Sequence, residues 1–119
     1  MKILALSTDQ ELNALRRFVF RAAGHDVELV NTEKEALSAA EGKAAYDVVF
    51  LCHKLPASTG RTVVRLLRQN QPTATIVFVS HLYGEWPEVE ADRYIVGADG
   101  PEALNRILQE VAGAAAANA

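Results

Sequence analysis

Short apolar runs and amphipathic segments alternate along the whole chain. Ile3-Leu4-Ala5-Leu6 is continuously apolar, as a strand covered on both faces must be. Thr8-Asp9-Gln10-Glu11 then reads as a capping box, with Thr8 as N-cap. The helix it opens places Leu12, Leu15, Val19 and Ala22 on one stripe and stops at Gly24. Val27 to Val30 is a second, more alternating strand. A second capping box, Thr32-Glu33-Lys34-Glu35, opens a short helix through Ala36, Leu37 and Ala40 that Gly42 closes.

The third strand spans Val48 to Leu51. A helix from about Gly60 to Gln69 turns Val63, Val64 and Leu67 inward and Arg61, Arg65 and Arg68 outward, and Pro72 ends that segment. Thr75 to Val79 and Arg93 to Val96 supply two more strands. The last helix has Pro101 in its first turn and a stripe of Leu104, Ile107, Leu108 and Val111. Strands alternating with helices predict an α/β fold with a parallel sheet covered on both faces. The first, third and fourth strands are the most apolar and belong in the centre; the second and fifth belong at the edges. That gives order 2-1-3-4-5, the flavodoxin-like arrangement.

At 119 residues the chain suits one domain, read as residues 1–112 followed by an Ala-rich tail at 113–119. It is 50% hydrophobic and 23% charged, which suits a folded protein, and its net charge of -3 gives no reason to expect nucleic acid as partner. The single cysteine cannot form an internal disulfide, and no zinc-type Cys/His spacing is present. The apolar run at the N-terminus is too short for a signal peptide or a membrane span, so a cytoplasmic location is the default expectation.

Tyr46-Asp47-Val48-Val49-Phe50-Leu51-Cys52-His53-Lys54-Leu55-Pro56 resembles the third strand and following loop of bacterial response-regulator receiver (CheY-like) domains. Leu55-Pro56-Ala57-Ser58-Thr59-Gly60 is similar to that family's Met-Pro-Gly-Met-Asp-Gly turn, and Met1 to Leu6 to its first strand. The spacing from Cys52 through Pro56 to Gly60 needs no gap, and the resemblance extends to about Val111. It implies a module of two-component signal transduction. Such domains take a phosphoryl group on an aspartate after the third strand. Two acids after the first strand hold magnesium, a Ser or Thr after the fourth strand binds a phosphoryl oxygen, and a Lys after the fifth balances charge. A metal is needed because an anionic carboxylate must meet an anionic phosphoryl group.

This chain departs from that pattern. The two acids fall on Ser7 and Thr8, the nucleophile on Cys52 and the lysine on Gly97; Ser80 alone keeps the family's type. Asp9 is the one acid beside the lost pair, and a single carboxylate makes a poor magnesium site. Losing acids and lysine together leaves no uncompensated charge. The expectation is a degenerate phosphorylation pocket that binds no metal or cofactor, in a pseudo-receiver that is not an enzyme but a protein–protein interaction module. The stretch from His81 to Asp92 is shorter than in the usual receiver, so the fourth helix should be short or irregular. Tyr94, with Tyr83 and Trp86, marks the expected switch and interface. The partner is a signalling protein, or a second copy meeting through residues 81–96 and the last helix.

Rival chemistries also start from Cys52. A thiol phosphatase needs Cys-x5-Arg, whereas Arg61 lies nine residues on, beyond Pro56. A thiol redox sensor needs an exposed, activated sulfur, to which His53 and Lys54 could lend positive charge. Cys52, His53 and His81 lack a fourth ligand for zinc. A small-ligand regulatory domain, with its site at the strand ends, is a weaker alternative. His25 in Gly24-His25-Asp26-Val27 is a structural turn, and the arginines at 16, 17 and 21 form a second basic cluster beside Arg61, Arg65 and Arg68.

Overall fold

The computed structural model describes residues 1–52, 55–80, 89–96 and 100–117, with side chains as far as residue 113. Five strands, β1 (Lys2–Leu6), β2 (Asp26–Val30), β3 (Val48–Cys52), β4 (Thr75–Ser80) and β5 (Arg93–Val96), form one sheet in the order β2-β1-β3-β4-β5. Every neighbouring pair is parallel. Helices α1 (Gln10–Ala22), α2 (Glu33–Glu41), α3 (Ala57–Asn70) and α4 (Pro101–Ala117) connect or follow the strands. This is the flavodoxin-like architecture expected from the alternation of elements, and the CheY-like fold that the resemblance implies. No helix among the described residues is long and apolar enough to cross a membrane.

Successive strand residues face opposite sides of the sheet, and the core divides accordingly. Leu4, Leu6, Val49, Leu51, Ile76 and Phe78 pack with Ala36, Ala40, Val63 and Leu67 under α2 and α3. Ile3, Ala5, Val48, Phe50 and Val77 pack with Phe20, Leu104 and Leu108 under α1 and α4. Phe20 stacks on Phe50 with ring centroids 4.8 Å apart. The β3 strand is buried along its full length, which explains its unbroken apolar run.

The second capping box forms as expected: the Glu35 N–H donates to Thr32 Oγ1 at 3.1 Å, and the Thr32 hydroxyl donates to the Glu35 carboxylate. The first does not. The N-cap of α1 is Asp9, whose carboxylate accepts from the Leu12 N–H at 3.1 Å, while Thr8 lies outside the helix. Either side chain can cap a helix, and here the Asp9 carboxylate does so.

The stripe expected on α1 is also displaced. Its buried residues are Asn13, Arg16 and Phe20, whereas Leu15 is 58% exposed and Ala22 is exposed. Asn13 explains the rotation. Its amide Nδ2 donates to Ala5 O, Val30 O and Asn31 Oδ1, each at 3.1 Å, and so ties the helix to the ends of β1 and β2. The last helix runs to Ala117, past the expected tail boundary after residue 112; the alanines there have the highest helix propensity of any residue.

The return from β4 to β5 is closed by side chains. Val89 is buried, and its Cγ2 lies 3.0 Å from where a Cβ on Gly60 would stand, so a side chain there would have to push Val89 aside. The Arg68 guanidinium grips Asp92 through two bonds of 2.9 and 3.0 Å. Arg68 is therefore a clamp and not part of a solvated basic face. The Asp92 carboxylate also accepts from the Ile76 N–H at 2.7 Å.

Burial alone would raise the Asp92 pKa, but the Arg68 hydrogen bonds and the Ile76 N–H outweigh it and hold the carboxyl below its ordinary value. A carboxyl depressed in the folded state contributes stability above its unfolded pKa and loses it as pH falls through the folded one. Both partners are more than a third exposed, which limits the gain to about 1 kcal/mol. Asp92→Asn should therefore lower the melting temperature by a few degrees at neutral pH. The difference from the parent protein should close as pH drops below the carboxylate range, as paired thermal melts would show.

Candidate functional site

In an open parallel sheet, ligands bind beyond the carboxyl ends of the strands, where the strand order reverses. Here the reversal lies between β1 and β3. Leu6 pairs with Leu51 and Cys52 with Val79, so Ser7, Cys52 and Ser80 stand at three adjacent strand ends. All three expected residues are thus brought together by the register alone.

Their surroundings are closed. Ser7 is 1% exposed, Cys52 0% and Ser80 6%. Ser7 Oγ accepts from the Asp9 N–H at 3.1 Å, and its own N–H donates to Val30 O, so the residue is fixed in the turn between β1 and α1. Thr8 is exposed at the rim. Asp9 spends one carboxylate oxygen on capping α1. None of the side chains Ser7, Cys52 and Ser80 carries a formal charge, and among the described residues no group of three His, Cys, Asp or Glu could hold a metal ion. Gly97, Tyr83 and Trp86 lie outside the described residues, as do His53, Lys54, His81 and most of the stretch where a short or irregular fourth helix was expected.

The alternation that turns Val48 and Phe50 toward α1 and α4 turns Cys52 the same way. A thiol in that position behaves as a small core residue. Thiol exchange or oxidation needs access, and complete burial works against it.

Tyr94 is 52% exposed on the edge strand. Its hydroxyl accepts from the Ala91 N–H at 2.8 Å and donates to Val89 O at 3.1 Å, and its ring stands 6.5 Å from that of Phe78. The tyrosine thus holds the chain entering β5, whose register sets Tyr94 beside Phe78 and Val96 beside Ser80. The other large exposed apolar side chains among the described residues, Leu15 and Phe18 at 58% and 74%, lie on α1. The hydropathy stripe of α1 takes in Leu15 and passes over Phe18.

No protein-family model matches the chain, and neither does any curated protein. Solved structures do. The chemotaxis protein CheY4 of Vibrio cholerae is 27% identical over 92% of this chain and 97% of its own, with a TM-score of 0.77. The receiver domain of a sensor histidine kinase from Pseudomonas aeruginosa, solved with magnesium coordinated in its active-site cleft, is 24% identical over 94% of this chain and 97% of its own, with a TM-score of 0.80. A response-regulator receiver domain from Clostridium thermocellum reaches a TM-score of 0.83 at 17% identity, covering 99% of this chain and 98% of its own.

Proposed function

We propose that this chain, a CheY-like response-regulator receiver domain by fold and by likeness to solved structures, is a pseudo-receiver: a signalling module that does not undergo phosphorylation and acts by binding another protein. The observation that carries the reading is the chemistry of the strand ends. Ser7, Cys52 and Ser80 are buried and uncharged, and Asp9 is committed to a helix cap. Phosphoryl transfer to a receiver needs a carboxylate nucleophile and a cation held by carboxylates, and these positions supply neither.

Contact with a partner is left as the domain's means of signalling. The face formed by residues 81–96 and the last helix is the surface assigned to it, with Tyr94 as an exposed aromatic anchor on the β5 edge. The Arg68–Asp92 clamp and the Tyr94 hydroxyl hold the chain before β5 in one arrangement, which suits a surface that is always presented.

The test has two arms. Incubation with acetyl phosphate and magnesium should leave the intact mass unchanged, and beryllofluoride with magnesium should leave the amide spectrum unchanged. A stoichiometric phosphoryl adduct would overturn the reading. A partner captured from the native lysate should bind Tyr94→Ala at least about tenfold more weakly, the loss expected for a central aromatic anchor. Unchanged affinity would move the interface elsewhere.

A further inference from the structure

Arg16 is the most unusual charged group in the described structure. It is 4% exposed, and it has no hydrogen bond or ion pair among the described residues. A guanidinium with this little exposure is ordinarily matched by a carboxylate; no Arg16 nitrogen is both cut off from solvent and unpartnered, so its head group keeps contact with solvent. Arg16 instead lines a cleft of about 110 Å3 between α1 and the first turn of α4.

The rest of that cleft is apolar: Leu12, Leu15, Val19, Val79 and Leu104, with Pro101 at the mouth of α4. Gly100 turns the chain into α4 at a φ of +80°, a conformation that suits glycine. The N-terminus of this 17-residue helix adds partial positive charge at the same end, offset in part by exposed Glu102. Val79 pairs with Cys52, so the cleft lies beside the strand ends described above, on the α1 and α4 side of the sheet.

We propose that this cleft binds a small monocarboxylate, its carboxylate on the Arg16 guanidinium and its short apolar tail among Leu12, Leu15 and Leu104. Charge selects an anion, and the fork of a guanidinium matches a carboxylate through two parallel hydrogen bonds. The walls select against inorganic phosphate, which would be left facing leucine and valine. Size selects a tail of a few carbons: a dry cavity of about 150 Å3 accommodates benzene, and this one is smaller. The proposal goes beyond the interaction reading and does not rest on it.

The test is a titration of the full chain with isovalerate, its neutral amide and inorganic phosphate, followed by amide chemical shifts and calorimetry. Isovalerate should give saturable shifts around residues 12–19 and 100–104 and should raise the melting temperature. The amide should bind at least about tenfold more weakly, a difference of about 1.4 kcal/mol, and phosphate should not bind. Arg16→Gln should abolish binding. Leu15→Glu, on an exposed position that tolerates change, should also abolish it by placing a competing carboxylate at the rim. Equal binding of acid and amide, binding of phosphate as tight as isovalerate, isovalerate binding retained in Arg16→Gln, or no saturable response would each overturn the proposal.

Discussion

Replacing Cys52 by aspartate, the residue that receivers carry there, should destabilise this protein by about 4 kcal/mol and should not create a phosphoryl acceptor. Cys52 is wholly buried at the end of a buried strand, among neighbours that include uncharged Ser7 and Ser80. A carboxylate introduced there meets desolvation, with no cation among Ser7, Ser80 and the paired Val79 to offset it. Marginal stability makes such a loss a large share of the total, and for a chain of this size it corresponds to a drop of roughly 10–20 °C in melting temperature.

Cys52→Asn separates charge from shape. The amide has nearly the same outline as the carboxylate and should cost about 1–3 kcal/mol less than the acid. Desolvation would raise the pKa of the new aspartate, so protonation should relieve it. The gap between the two variants should narrow as pH falls through that raised value, because the folded state then takes up the proton more readily than the unfolded one. Thermal melts across pH check this. An aspartate variant that melts with the parent would mean that a cation already occupies the strand ends, and the account of an uncharged pocket would fail.

The second large effect is expected at Asn13. Asn13→Asp exchanges an amide for a nearly isosteric carboxylate, yet should cost about 4 kcal/mol or more at neutral pH. The Asn13 side chain is 0% exposed, and its Nδ2 faces three acceptors, Ala5 O, Val30 O and Asn31 Oδ1. An anion there would repel all three with no water to screen it. Asn13→Ala removes the bonds without adding charge and should cost about 2 kcal/mol. Denaturant unfolding of the three proteins should rank them parent, alanine, aspartate. An aspartate variant as stable as the parent would show that Asn13 is not the bolt between α1 and the ends of β1 and β2.

These two residues show where reading the chain succeeds and where it stops. Cys52 was legible because the third strand, the proline four positions on and Gly60 stand in fixed order, and strand register then carries Ser7 and Ser80 to it. Asn13 was not legible. Hydropathy turns asparagine and arginine toward solvent, so the stripe assigned to α1 ran through Leu12, Leu15, Val19 and Ala22. The fold instead buries Asn13 and Arg16 and leaves Leu15 and Phe18 exposed. Only contact with the ends of two strands gives a buried amide its partners, and no local pattern encodes that. Arg68 misled in the same way, since its partner Asp92 is 24 residues distant.

By itself the chain determined the sheet order, the central position of the three most apolar strands and the cap at Thr32, because burial on both faces and local capping are written in neighbouring residues. Tertiary structure alone decided which face of α1 turns inward, which residue caps it, and that an arginine would be buried beside an apolar cleft. Those outcomes depend on side chains meeting across the sheet and between helices, where the partners are set by three-dimensional packing and not by spacing along the chain.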